Sequence, residues 1–172
     1  TIGRRQRQMC IRDSCCTASD SEDARKVASK LDIPYYVLDY TESFSKNVVD
    51  NFTQMYAQGL TPNPCVECNR SVKFDHFINQ AKKLNCDKVA TGHYAKIIKN
   101  NDKYELHKAD YLDKDQSYVL HMLKSSDLEN ITFPLGEISK PEVRQIAARI
   151  GLRTAFKKDS QDICFVGKKD YR

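Results

Sequence analysis

The sequence predicts an α/β fold: a parallel sheet flanked by helices, with one β-hairpin as an excursion from it. Two observations carry that prediction. Segments with apolar residues at helical spacing alternate with short β-branched and aromatic runs, the order expected when parallel strands are joined by crossover helices. A separate pair of strand-like runs, Tyr94 to Lys99 and Lys103 to Lys108, is joined by Asn100-Asn101-Asp102, which is hairpin grammar. No internal repeat, low-complexity tract or Gly/Ser linker divides the 172 residues, a length with room for one proper core.

The elements follow in order. Residues 1–14 show no useful helical or strand period and are set aside as a foreign or disordered leader; regular patterning begins at Cys15. Ser21-Glu22-Asp23 reads as a helix start, Ala24, Val27, Ala28 and Leu31 recur on one face, and Pro34 marks the stop. Tyr35-Tyr-Val-Leu-Asp39 suits a short buried strand. Phe44, Val48, Phe52, Met55 and Tyr56 mark a second helix, with Gly59 past its end. The prolines of Thr61-Pro-Asn-Pro-Cys65 predict a stiff loop. Asn69 is positioned to cap a third helix running through Phe74, Phe77, Ile78, Ala81 and Leu84, and Asp87 to Gly92 supplies another strand. After the hairpin come a short helix over Gln116 to Leu123 and a stronger one over Ser139 to Ile150. The latter has Ser139 and Glu142 at capping-box spacing and Gly151 just beyond.

Composition bounds the function. Hydrophobic content of 40% with 30% charge and no Trp is ordinary for a water-exposed globular protein. No apolar run approaches membrane-spanning length and no signal peptide is visible, so no membrane association and a cytoplasmic setting are expected. Seven cysteines then read as thiols or ligands rather than as a disulfide framework. The net charge of +5 is unevenly spread: residues 140–172 hold nine Lys or Arg against four Asp or Glu. That basic stretch surrounds Cys164 and suits either phosphate attraction or a solvated tail.

Two cysteines far apart in sequence carry the chemistry. Cys68 follows the proline-rich loop at the mouth of a helix, where unpaired amides and the helix dipole favour a thiolate. Cys65-Val-Glu-Cys68 also fits half a zinc site, a redox pair or two inert buried thiols. Cys164, between Ile163 and Phe165, fits a buried strand cysteine. The polar Asp159-Ser-Gln-Asp162 and the cations Lys157 and Lys158 instead suit a reactive thiol. A nucleophilic thiol with a second one to resolve it is the minimum equipment for sulfur transfer.

The stretches Thr61-Pro-Asn-Pro…Cys68-Asn69…Lys73-Phe74, Ala90-Thr-Gly-His-Tyr94, Lys114-Asp-Gln-Ser-Tyr118, Phe133-Pro-Leu-Gly136 and Lys158-Asp-Ser-Gln-Asp-Ile-Cys-Phe165, in this order, resemble the tRNA-specific 2-thiouridylases, the MnmA/TrmU family. The resemblance covers residues 15–172 and implies a partial catalytic domain of the Rossmann-like PP-loop type, lacking its first strand and phosphate loop. It implies ATP with Mg2+ as cofactor, tRNA as substrate, a sulfur-donor relay protein as partner, and replacement of the C2 oxygen of a wobble uridine by sulfur. By the same resemblance Cys164 carries the persulfide and Cys68 is the nucleophile that releases the sulfur, with a Cys68–Cys164 disulfide as one route. Asn63, Pro64 and Cys65 line the target base, Gly92 meets the nucleotide, and His93, Lys114, Asp115 and Gln116 meet tRNA. Residue-level competitors are plain: Asp115 as a helix cap, His93 as a bonded loop histidine, Lys114 as a solvated lysine.

The chain departs from the family pattern in three ways. The family's Ser-Gly-Gly-Val-Asp-Ser-Ser type of loop has no counterpart in residues 1–14, so this chain alone is expected neither to bind ATP tightly nor to thiolate RNA. The family's small central domain and β-barrel are not represented before Arg172. Position 65 is Cys where some relatives have Asp, which creates a three-thiol set, Cys65, Cys68 and Cys164, that is a candidate iron-sulfur ligand set. Two other classes stay open: another adenylating synthetase on the same kind of sheet, and a non-catalytic RNA- or metal-binding module.

Overall fold

A computed structural model describes residues 9–12, 18–157 and 163–165. The chain divides into two compact units, residues 65–157 forming one and residues 1–64 with 158–172 the other.

In the unit that contains the N-terminal part, β1 (Met9–Arg12) pairs in parallel with β2 (Tyr35–Leu38), from Met9 opposite Tyr35 to Arg12 opposite Leu38. The crossover is α1 (Ala18–Lys30). β1 falls where the sequence pattern predicts no regular element. Four residues are too few to display a period, and it is pairing with β2 that makes Met9–Arg12 a strand. α1 ends at a left-handed residue, Asp32 (φ 52°), with the Ile33 amide donating to the Ala28 carbonyl and Asp32 to Ser29. The Pro34 stop read from the sequence therefore comes two residues after the actual cap. The second helix is continuous, α2 (Thr41–Phe44) and α3 (Asp50–Ala57) being joined through a wide π-type turn, Ser45–Val49. Phe44 and Val48 are buried, and Gly59 (φ 77°) closes the helix while the Leu60 amide reaches back to Met55.

From Cys65 the other unit runs along a helix in three stretches, α4 (Pro64–Glu67), a π-type stretch Cys68–Phe74, and α5 (Asp75–Lys83); the first residue of that helix, Pro64, is the last of the preceding segment. Residues 61–63 are loop as predicted, but Pro64 and Cys65 are helical and the predicted cap is corrected. Pro64 lacks the amide that a first helical residue would leave unsatisfied and has φ preset for a helix, so it opens one instead of preventing it. Asn69 is buried in that helix and does not cap it. β3 (Val89–Ala90) pairs in parallel with β6 (Ile131–Thr132), a strand the sequence reading missed because it has only two residues. β4 (Ala95–Asn100) and β5 (Lys103–Lys108) form the antiparallel hairpin, with Asn101 and Asp102 at φ 45° and 64° as a two-residue turn. The helix expected over Gln116 to Leu123 is a single 3-10 turn, Ser117–Val119. α6 (Ser125–Leu128) follows the hairpin and leads to β6, and α7 (Lys140–Arg149) carries the predicted capping box, with Gly151 at φ 70°. The core of this unit is Phe74, Ala95, Val119, Leu120, Ile131 and Phe133. The α/β class, its parallel pairing and its hairpin excursion are as predicted. Parallel pairing occurs once in each unit among the described residues.

Candidate functional site

Within residues 65–157, motif residues from three separate segments are tied to one another. The helix that carries Cys65 and Cys68 reaches the 114–119 segment through Asn69, whose side-chain amide donates to the Val119 carbonyl at 3.4 Å. That segment in turn grips the end of the Gly92-His93-Tyr94 stretch twice. The Gln116 backbone amide donates to the Tyr94 carbonyl at 2.8 Å, and the Gln116 side-chain oxygen accepts from the Tyr94 amide at 3.1 Å. The stretch is linked back to that helix by Phe74, whose ring lies 6.0 Å from His93 between centroids, and His93 also lies 5.9 Å from Phe133, just after β6.

Each side chain then has a definite situation. Cys65 is exposed in the first turn of α4, where free amides favour negative charge, whereas Cys68 is buried one turn further on. The helix-mouth argument made for Cys68 thus applies by position to Cys65. Asn69 is 4% exposed, and its side-chain oxygen has no hydrogen-bond partner among the described residues. Gly92 is exposed two residues beyond the C-terminal end of β3, where open parallel sheets place their ligands. Its neighbour His93 is 8% exposed, with Nδ1 hydrogen-bonded at 2.8 Å to the Thr91 hydroxyl. Asp115 uses both carboxylate oxygens inside the fold, accepting from the Ala109 amide at 2.8 Å and the Ser117 hydroxyl at 2.7 Å. Asp115 and Gln116 therefore hold the site's backbone, a role distinct from the tRNA contact that the resemblance implies. Lys114, half-buried, ends the 3-10 turn Leu112–Lys114 just before them.

Asn63, Pro64 and Cys164 belong to the first unit. Asn63 is exposed and Pro64 buried at the entry to α4. Cys164 is exposed on a turn, not buried in a strand. The anchor is its neighbour, Phe165, whose ring packs edge-on against Phe44 at 5.8 Å and Phe52 at 5.4 Å. One apolar side chain thereby pins the turn while the thiol beside it stays accessible. The cationic and polar residues Lys158 to Asp162 lie outside the described residues. Among the described residues no three His, Cys, Asp or Glu side chains gather as a metal site, so the cluster reading rests on the sequence alone. No helix there is long and apolar enough to cross a membrane.

Sequence reasoning missed Thr91 and Phe133 as supports of His93, and misread Asn69. The Cys68-Asn69 adjacency inside the motif was the available signal for Asn69. Thr91 and Phe133 also stand inside motifs, Thr91 only two residues from His93; it is the long-range Phe133 contact that no local pattern shows.

The comparisons agree with the motifs. Residues 3–168 match the family model described as "tRNA methyl transferase HUP domain". A curated relative from Chloroflexus aurantiacus is 50% identical over 164 residues, covering 94% of this chain and 46% of the relative. One from Leptospira interrogans is 49% identical over 159 residues, covering 92% and 42%, and one from Geobacter metallireducens 49% over 160, covering 92% and 44%. All three are named tRNA-specific 2-thiouridylase MnmA, and the chain spans less than half of each. Near-complete coverage by the family model and half-identity to these proteins together show that the chain belongs to the tRNA methyl transferase HUP domain family.

Proposed function

We propose that the chain is the portion of a tRNA 2-thiouridylase that holds both sulfur-handling thiols and much of the target-base site. The observation that carries this reading is the convergence of the Cys65–Cys68 helix, Gly92–Tyr94 and the 114–119 segment through Asn69, Gln116 and the His93 ring contacts. A substrate base lodged there would meet Cys65 at the helix start, with His93 and Lys114 on neighbouring segments. The exposed Gly92 at the end of a parallel strand suits close approach by a nucleotide, since glycine carries no side chain of its own to stand in the way. ATP bound there would supply the AMP that turns the uridine C2 oxygen into a leaving group.

Sulfur transfer then needs two bond exchanges. The outer sulfur of a Cys164 persulfide attacks C2 and the C2–O bond breaks, with AMP departing. The Cys68 thiolate attacks the Cys164 sulfur, breaking the S–S bond and leaving 2-thiouridine with a Cys68–Cys164 disulfide, which a reductant must reopen before the next turnover. The exposed position of Cys164 suits loading by a sulfur-donor protein. Two thiols suffice for this route, so no iron-sulfur cluster is invoked.

The family description speaks of methyl transfer, which requires no thiol pair. Incubating the full-length protein with tRNA, ATP and a persulfide donor, followed by nucleoside mass spectrometry, separates oxygen-to-sulfur exchange from methylation. Cys68→Ser and Cys164→Ser are each expected to abolish 2-thiouridine formation. Full 2-thiouridine formation in either variant would defeat the two-thiol route, and failure of the unaltered protein to form 2-thiouridine would favour another adenylating enzyme of the same fold.

A further inference from the structure

Away from the thiols, residues of the hairpin and of the segment after β6 enclose a groove of about 340 Å3 within residues 65–157. Three lysines, Lys88, Lys96 and Lys99, line it, together with the rings of Tyr104 and Phe133 and one carboxylate, Glu137. Lys96 is ion-paired with Asp110, and its stem runs close over Gly136, so it belongs to the wall. Lys88 and Lys99 are exposed. Lys99 lies 3.5 Å from the carboxylate of Asp102, a pair so open to water that it holds the ammonium only weakly, and 5.7 Å from the Tyr104 ring. The result is a concave, mostly polar surface with the half-buried Tyr104 in its wall and water-exposed cations at its edge. This combination suits a polynucleotide strand: lysines meet phosphates, and a ring offers a face to a base. Phe133 lines the groove and also contacts His93, so the groove adjoins the region of the candidate site.

We propose that this groove is a second RNA contact, in which Lys88 and Lys99 bind backbone phosphates and Tyr104 stacks against a base, while Glu137 opposes the phosphates. The proposal rests on the tRNA reading above and extends it to residues outside the thiol site. An acidic peptide is less suited, because Glu137 would repel its carboxylates and such a peptide has no bases to use the Tyr104 ring.

The test uses the full-length protein and an unmodified tRNA transcript, with affinity measured against salt concentration. For Lys88→Gln/Lys99→Gln the slope of log affinity against log salt is expected to shrink by about 0.7–0.9 for each phosphate that is no longer neutralised, with weaker binding at low salt. Glu137→Gln is expected to strengthen binding, a gain that a general loss of structure would not produce. Lys82→Gln/Lys83→Gln, on the last turn of α5, serves as a control for diffuse attraction. Unchanged affinity and slope in the Lys88/Lys99 variant, or an equal loss in the control, overturns the groove while leaving the tRNA reading intact. Failure of the unaltered protein to bind tRNA at all overturns both. All substituted side chains are exposed, and thermal melts matching the unaltered protein are expected.

Discussion

A β-carbon added at Gly136 would lie 2.1 Å from the Ala95 carbonyl oxygen and 2.7 Å from Lys96 Cγ, and the backbone atom cannot move aside without unpicking β4. Gly136→Ala is therefore expected to cost about 3 kcal/mol in denaturant unfolding. At Gly92 the nearest atom to such a carbon is Leu135 Cδ1 at 3.8 Å, ordinary contact distance. Gly92→Ala should leave stability unchanged to within about 0.5 kcal/mol. A loss of ATP binding when that substitution is made in the full-length protein would thus report on the nucleotide and not on folding. The same separation applies to the sulfurs. Cys65 and Cys164 are exposed and Cys68 is buried, so brief treatment with iodoacetamide followed by peptide mass spectrometry should label the first two before the third. Immediate labelling of Cys68 would contradict its burial. Asp115 illustrates why such controls matter: with both oxygens accepting hydrogen bonds, Asp115→Ala is expected to lower stability by about 2 kcal/mol. An activity loss there would not by itself identify an RNA contact.

Among the elements, helix ends follow local chemistry closely. The Ser139 hydroxyl donates to Glu142 Oε2 at 2.6 Å, the Ser139 amide to the same oxygen at 2.9 Å, and the Glu142 amide returns to the Ser139 hydroxyl at 3.4 Å. Ser139→Ala should cost about 1 kcal/mol. The Ser139 hydroxyl, and then its amide, hold the Glu142 carboxyl below the ordinary carboxylate range. The carboxyl's contribution is complete above the unfolded pKa and is lost as pH falls through the lowered folded value, which amide shifts at Ser139 would track by NMR. In α1 the Arg25 guanidinium, at 2.7 Å, followed by Lys26, lowers the Glu22 pKa to about 2, so that exposed pair should persist until pH falls through that value. This cap and the hairpin were legible in sequence because Ser139/Glu142 and Asn101-Asp102 act over three residues or fewer. The start of α4 was not: Pro64 is equally at home in a loop, and only packing of the helix behind it decides. Asn69 was misread for the same reason, since its partner Val119 lies fifty positions away.

On the scale of the whole molecule, the sequence showed the α/β class and the segments of the site, since motifs name residues. It did not show how those segments are joined. Gln116 to Tyr94 and His93 to Phe74 and Phe133 are long-range pairings with no local period. Nor did it show that the chain would divide into units with different kinds of core. Residues 65–157 contain a cluster in which Phe74, Ala95, Leu120 and Ile131 are each at most 2% exposed. The other unit, among its described residues, has a single two-stranded parallel pair in which Tyr36 and Val37 remain 41% and 46% exposed. Parallel strands are ordinarily covered on both faces, and an isolated pair is marginal in water. The two units should therefore open with different free energies. Hydrogen exchange followed by mass spectrometry is expected to show protection first lost in β2. The amides of Ala95 to Ile98 and of Leu120, within or beside the buried cluster, should exchange last. Binding of a ligand or partner over Tyr36 and Val37 would raise protection in β2 without altering that of Leu120. Equal exchange in β2 and the cluster in the unliganded protein would mean that the units unfold as one, and the distinction drawn from their cores would fall.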